Sequence, residues 1–538
     1  MAQVIMLRQR CQELQKMIML NPLLCLFLLL SLLFLLRLVK RDKLNLPPSP
    51  PKLPIIGNLH QLGRLHRSLR ALSSKYGPLM LLHFGKVPTL IVSSAEVAHE
   101  VMKTHDVAFA GRPQTRAADV LFYGCVDVAF CPYGEYWRQV KKICVLELLS
   151  QKRVQAFQFV REEEVANMVE KVRLSCLNGA AVDLSDMFLS VSNNIISRSA
   201  LGRVYENEGC DESFGGLSRK AIDLIASFCF KDMFHLLGWM DTLTGLVAGL
   251  KHTSKALHNF LDQVIEEHES LMNNDESDMK DIVDILLDLQ KNGTLDIDLT
   301  RENLKAILMV SLSLSWPLFC DCVCSSVFIN SSIFLLQDMF VGGTDTTAAA
   351  MEWAMAELVK NPLVMKKAQE EVRRVVGKKS KLCEKHINEM VYLKCVLKES
   401  LRLHAPAMIA RETSEAVKLQ GYDIPPKTRV LINAWAIQRD PKQWERSEEF
   451  IPERFTNISV DFKGQHNQFM PFGGGRRLCP GLSFAVIEAE MVLANLLYWF
   501  DWNIPHGGNP EDMDMSESHT LIIRKKTPLV LVPVMLSP

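Results

Sequence analysis

The chain has no excess of either charge: 61 Lys and Arg stand against 61 Asp and Glu in 538 residues. That balance removes the electrostatic footprint of a nucleic-acid binder. Paired cysteine spacings are also missing. The 14 cysteines are scattered, so they do not form the framework of a secreted disulfide scaffold. There is no convincing dinucleotide or flavin fingerprint, which excludes a self-sufficient nicotinamide or flavin enzyme. No second linker and no internal repeat appears. The length would allow several domains, yet one large, mostly helical domain is the simplest reading.

Residues 17–36 form an apolar run broken by Asn21-Pro22 and Ser31, and about 20 residues suffice to cross a bilayer as a helix. Arg37, Lys40, Arg41 and Lys43 follow at once, which predicts a retained transmembrane anchor with everything downstream on the cytosolic side. A cleaved signal peptide fits less well, because no small-residue cleavage site follows and the charge lies on the wrong side. Residues 1–16 carry Arg8, Arg10 and Lys16, which blur that asymmetry; they read as an extension ahead of the natural start at Met17. Residues 37–58 are a basic and proline-rich hinge, with Pro47-Pro-Ser-Pro-Pro51 and Pro54 stiffening the connector. The catalytic domain is expected over 59–538. The sequons at Asn292, Asn330 and Asn457 would matter only on a lumenal face.

The most informative stretch is Met470-Pro-Phe-Gly-Gly-Gly-Arg-Arg-Leu-Cys-Pro-Gly481. It holds Phe472, Gly475, Arg477, Cys479 and Gly481 at a spacing that chance would produce roughly once in ten thousand such chains. A thiolate can serve as the fifth ligand of a haem iron, where it pushes electron density toward dioxygen. Glycines Gly473 to Gly475 let the backbone fold tightly and approach a metal. Pro480 is suited to a first helical position, ahead of the apolar run Leu482 to Leu497, so Cys479 falls near a helix N-terminus that favours its negative charge. The bland alternative is an inert buried cysteine in a glycine-rich turn.

This loop resembles the haem-binding loop of the cytochrome P450 monooxygenases, closest to the plant microsomal A-type members. The resemblance implies a single P450 fold, mostly α with small β-sheets, preceded by the N-terminal transmembrane helix. It implies haem b with Cys479 as axial thiolate and metal ligand, and Phe472, Gly475, Arg477 and Gly481 as its cofactor-binding neighbours, with Arg477 meeting a propionate. Trp137 and Arg138, in Tyr136-Trp-Arg-Gln-Val-Lys-Lys142, resemble the helix whose Trp and Arg bind the propionates. Lys141 stands where Arg is frequent, and a solvated basic face is the alternative for this stretch. Phe340-Val-Gly-Gly-Thr-Asp-Thr-Thr347 resembles the central helix, with Asp345 and Thr346 as the catalytic proton-delivering pair. Thr346 lies four residues after Gly342, so its hydroxyl can bond that carbonyl; a helix N-cap is the alternative. Glu399 and Arg402 sit at i and i+3, able to pair. The resemblance adds Arg454 and makes the three a buried structural cluster.

Two apolar zones, Val120 to Phe130 and residues 226–250, suggest an apolar substrate pocket. Ala410 and His519-Thr520 depart from the usual pattern in segments expected to line it. Residues 310–337 interrupt the pattern: without them Met309 would join Asp338 in one continuous helix ending at Lys360, before Asn361-Pro362. Val310 has a GT-starting codon and Gln337 can be CAG, so a retained intron explains the insert; a second membrane segment would place Asp321 and Asn330 in lipid at high cost. The expected function is a single-pass monooxygenase of the endoplasmic reticulum membrane, its domain facing the cytosol. Its partners would be an NADPH–cytochrome reductase, O2, an apolar small-molecule substrate and membrane lipid. The alternatives are a non-catalytic haem-binding form caused by the insert, and a member that isomerises or dehydrates its substrate.

Overall fold

The computed structural model describes residues 26, 27, 29 and 31, then 44–122, 124–204, 214–271, 280–291, 331–378, 381–405, 408–518 and 522–536. The expected extension over 1–16, the basic half of the hinge over 37–43, residues 310–330 of the insert, and His519-Thr520 lie outside the described residues. Of the expected anchor, Leu26, Phe27, Leu29 and Ser31 are described, and they are helical. Among the described residues one helix is long and apolar enough to cross a membrane, Leu482–Trp499, and it is mostly buried.

Among the described residues the architecture is mostly helical with three small sheets. Helix α1 (Leu65–Tyr76) precedes the hairpin of β1 (Leu79–Phe84) and β2 (Val87–Val92). Alternation sorts the hairpin's side chains: Met80, Leu82 and Phe84 pack with Leu69 of α1, whereas Leu79, Leu90 and Val92 face the other core. Helices α2 (Arg116–Leu121) and α3 (Glu135–Ile143) come next, then α4 (Gln158–Leu177). The short β3 (Val182–Asp183) leads into α5 (Leu184–Leu201), with Asp183 capping it. Helices α6 (Phe214–Ala226) and α7 (Leu246–Leu271) flank a segment of short helical turns.

The centre of the fold is α8 (Ser331–Lys360). It packs on α5 and, further along, on the helices α10 (Val391–Leu403) and α11 (Leu482–Trp499). Its C-terminus falls where Asn361-Pro362 predicts, and Pro362 opens α9 (Pro362–Val376). Its start differs from expectation. Residues 331–337, assigned to the insert, are already helical, because that stretch lacks Gly and Pro and extends an existing helix, which needs no new nucleus.

The strands β4 (Ile409–Glu412), β5 (Val417–Leu419), β6 (Tyr422–Ile424) and β7 (Arg429–Ile432) follow α10, and β8 (Phe500–Asn503) and β9 (Val530–Met535) end the chain. The main sheet runs β1-β2-β7-β4, with β2 and β7 parallel. A second sheet has the order β3-β9-β8, and β5 pairs with β6.

Candidate active site

The segment before α11 brings Cys479 to the floor of a cavity of about 350 Å³. The backbone N–H of Cys479 donates to the carbonyl of Phe472 at 3.1 Å, closing the loop on itself. Pro480 lies just ahead of α11, which begins at Leu482, so the expected place for proline inside the first turn is corrected by two residues. The Cys479 side chain is exposed, and the space it is exposed to is the cavity; protein encloses the rest. Burial pushes its thiol pKa up, opposed by the N–H groups of Gly481 and Leu482 and by the Lys141 ammonium. The helix N-terminus thus aims two donors at the sulfur.

Gly475 serves a different end. Its φ is +64°, and a Cβ there would sit 2.3 Å from the Met102 carbonyl oxygen and 2.8 Å from an Asp106 carboxylate oxygen. It lets the loop press against the neighbouring segment, and it is not among the cavity-lining residues. Phe472 and Gly481 do line the cavity, and Phe472 meets Phe462 edge-on at 5.6 Å.

The opposite wall comes from α8: Gly342, Gly343, Thr346, Thr347 and Ala350. Thr346 donates its hydroxyl to the Gly342 carbonyl at 2.7 Å, the bond its spacing predicts. A Cβ at Gly342 would meet nothing within 4 Å, whereas one at Gly343 would strike Ile196 of α5 at 2.7 Å. The N-cap alternative fails, since both Asp345 and Thr346 are in the middle of α8. Asp345 is buried behind the wall, 3.2 Å from the guanidinium of Arg524. Burial raises its carboxyl pKa; Arg524 and Arg219 act against that.

One flank of the cavity is cationic. Arg112, Arg411 and Arg477 all line it, and among the described residues none of the three is in an ion pair. Arg477 donates to the carbonyls of Ala110 at 2.8 Å and Val128 at 3.2 Å, and also to Cys131. It lies 4.1 Å over the Trp137 ring. Arg411 donates to Ala410 and Gly474, and Arg112 donates to Ala410 but keeps a buried Nε without a partner. Burial lowers the pKa of Arg112 to about 10. Burial and then Arg112 lower that of Arg477 to about 9. Burial, then Arg112 and Arg477, hold Arg411 well below the ordinary arginine value. Asp127 acts electrostatically on Arg112 and Arg477, and Asp106 on Arg411, but neither forms an ion pair with them, so three closely set guanidiniums favour an anion from outside the chain.

The two residues expected on α3 fall differently. Trp137 lines the cavity, with its indole N–H donating to the Val128 carbonyl at 3.0 Å. Arg138 is on the solvent side, pairs with Glu135 and does not line the cavity. Lys141 does: four residues from Trp137, it shares that helix face. Its spacing from Trp137, together with its place where Arg is frequent in the resembled family, is the signal that points to Lys141. Ala410 also points away from the cavity, between its lining neighbours Ile409 and Arg411, as alternation along β4 requires.

Behind the floor, Glu399, Arg402 and Arg454 meet. Glu399 and Arg402 are fully buried and joined through two hydrogen bonds of 2.7 and 2.9 Å, and Arg454 donates to Glu399 at 2.9 Å. Arg402 further donates to the carbonyls of Gln438, Ser447 and Glu449, which fastens the segment leading to the cysteine loop onto α10.

The model of the family described as cytochrome P450 matches residues 47–313 and 333–532. The chain belongs to the cytochrome P450 family. The two matched stretches leave 314–332 between them, inside the expected insert. Phenylacetaldehyde oxime monooxygenase of Prunus mume is 52% identical over 500 residues, covering 92% of this chain and 90% of the relative. Cytochrome P450 71A1 of Persea americana is 52% identical over 483 residues, with 88% and 91% covered. A zebra fish cytochrome P450 structure with progesterone aligns with a TM-score of 0.69 at 23% identity, over 88% of this chain and 99% of that one. The last comparison speaks for the fold. A P450 is an oxidoreductase that incorporates molecular oxygen and carries haem ligated by a cysteine thiolate. The cationic flank, the orphaned Arg112 Nε and the thiol on the floor fit such a group with its two carboxylates.

Proposed function

We propose that this P450 is a membrane-bound monooxygenase that oxidises an apolar small molecule in plant specialised metabolism, with electrons supplied by an NADPH–cytochrome reductase. One observation carries the reading: the Cys479 thiol and the Gly342–Thr346 turn of α8 open onto the same largely apolar cavity. Bound haem supplies the redox chemistry that activates dioxygen and inserts one oxygen atom into the substrate.

Cys479 would anchor that group, with the amides of Gly481 and Leu482 stabilising charge on sulfur. Arg112, Arg411 and Arg477, joined by Lys141, would hold its carboxylates. Thr346 keeps a hydroxyl at the cavity wall and ties its proton to the Gly342 carbonyl. Asp345 lies behind that wall, paired with Arg524 at 3.2 Å and with its pKa raised by burial, so acid and alcohol would form a route for protons from the protein side. Glu399, Arg402 and Arg454 hold the floor in place and take no part in chemistry.

Membrane attachment is supported by an exposed apolar surface besides the N-terminal run. Ile55, Leu236 and Leu243 are 70%, 81% and 75% exposed. A Cβ at Gly85 would strike Phe234 at 2.7 Å, and the Gly85 N–H donates to the Ile56 carbonyl at 3.2 Å, so the two stretches share one side of the molecule. A surface of this kind suits lipid. The relative from Prunus mume is named for an oxime substrate, so aryl oximes head the compounds to try.

The test is the ferrous–carbon monoxide difference spectrum of the full chain and of Cys479→Ser. We expect a thiolate-type band in the first and its loss in the second. Retention of that band by Cys479→Ser would sink the reading. NADPH consumption with purified reductase and oximes then separates turnover from mere binding.

A further inference from the structure

The loop that carries Cys479 is braced from outside by a short stretch of distant sequence. Residues Glu100–Thr104 form a π-helical turn, closed by the His105 N–H donating to the Glu100 carbonyl at 2.8 Å. Such turns are wider than α-helical ones and are frequent at functional sites. Here the turn sets Met102 against the loop. Its carbonyl oxygen is what a Cβ at Gly475 would strike, and its sulfur would lie 3.2 Å from a Cβ at Gly474. Beside it the Lys103 ammonium donates to the Gln465 carbonyl at 2.9 Å. The brace ends in Asp106.

Asp106 is half-buried, and its carboxylate meets the loop where the loop turns. The Arg476 N–H is shared between its two oxygens at 3.1 and 3.3 Å, and the Arg476 guanidinium stands 3.4 Å away. Residues Gly475–Arg477 form a 3₁₀ turn. Its closing bond, from the Leu478 N–H to the Gly475 carbonyl at 3.1 Å, comes one residue ahead of Cys479. A carboxylate that accepts an amide of such a turn fixes its direction, as a capping side chain does for a helix. From the cavity flank Arg411 donates to the Gly474 carbonyl at 3.2 Å, and Asp106 and Arg411 act on each other electrostatically. One carboxylate therefore borders both the turn that leads to the sulfur and the flank that would hold the cofactor's carboxylates.

We propose that Asp106 is a positioning residue for the metal ligand: it holds the Arg476 amide, and through it the turn that sets where the Cys479 sulfur stands, while its charge keeps the reduction potential of the bound cofactor low. The inference rests on the P450 reading and adds to it a residue that touches neither substrate nor cofactor. Groups one step removed from a metal orient its ligands and tune its potential. The two effects are separable, because the hydrogen bond needs only an oxygen in that place and the electrostatic effect needs the charge.

The experiment uses the full chain and three variants. Asp106→Asn keeps an oxygen for the Arg476 amide and drops the charge, Asp106→Ala drops both, and Arg476→Gln removes the guanidinium but keeps the amide. In mild urea, the ferrous–carbon monoxide spectrum of Asp106→Ala passes from the thiolate-type to the thiol-type band about tenfold faster than that of the parent, whereas Asp106→Asn and Arg476→Gln stay within about threefold. Reductive titration gives a more positive potential for both Asp106 variants, which a merely structural role would not produce. Hydrogen exchange of amides 475–479 rises in Asp106→Ala alone, a readout independent of the spectrum. Parent-like amide protection in Asp106→Ala would overturn the positioning role, and an unmoved potential in Asp106→Asn would overturn the electrostatic one. A parent chain without the thiolate-type band would instead overturn the P450 reading, and the amide measurement would still decide whether Asp106 holds the turn.

Discussion

Glu488 of α11 is enclosed by protein, with Ser192 donating to one carboxylate oxygen at 2.5 Å and the other left without a partner. Burial raises its pKa from the ordinary 4.5 to about 7, against the pull of Ser192 and Arg161. The folded chain therefore keeps a proton that the unfolded chain releases. Stability from this group is fully present below the unfolded value of 4.5 and is lost as pH rises through about 7. Glu488→Gln should flatten the fall in Tm across that window and melt higher than the parent at alkaline pH; Glu490, also raised to about 7 by burial, keeps part of the slope. Thermal melts at a series of pH values check this, and a variant that melts lower at alkaline pH contradicts it. Single residues were legible in the sequence where local spacing defines them, as for Cys479 and for Thr346 over Gly342. Arg112 and Arg411 were not. They meet through the bridge between Gly111 and Glu412, a pairing across some three hundred positions that no local pattern encodes.

Elements carry the cluster of Glu399, Arg402 and Arg454, which joins α10 to residues 438–454. An i, i+3 pair on a helix is usually a weak surface feature; the sequence gives the pair its spacing and nothing about its depth. Only the resemblance predicted burial, and both Glu399 and Arg402 are fully enclosed. Glu399→Ala would strand two guanidiniums, at a cost of about 3–5 kcal/mol, read as a lower urea midpoint. Arg402→Met should return part of that loss in the double variant, because an apolar side chain of similar size needs no partner. Helix α8 teaches the complementary lesson. Its end was readable from Asn361-Pro362, and its interior from the glycines and threonines. Its start was not, because Ser331 to Gln337 can extend a helix whatever brought those residues there.

At the scale of the whole molecule, a mostly α fold with small sheets followed from helical periodicity and the strand-like runs at Leu79 and Thr89, while the sheet orders, which depend on distant pairings, did not. The retained-intron proposal belongs here. A chain lacking residues 310–337 joins Met309 to Asp338 and gives α8 a continuous upstream half; it should bind more haem per mole of protein than the 538-residue chain. Equal carbon monoxide bands per mole, or no transcript without those codons, would count against it. The three guanidiniums on the cavity flank have a last consequence. Three guanidiniums that Asp127 and Asp106 reach only at a distance, with no ion pair made, mean that the polypeptide leaves this part of its interior incomplete: the missing piece is made by another pathway and delivered. A partner that binds only the folded form stabilises it by mass action, so the pigment supply of the cell, as much as the gene, should set how much of this protein survives its own synthesis.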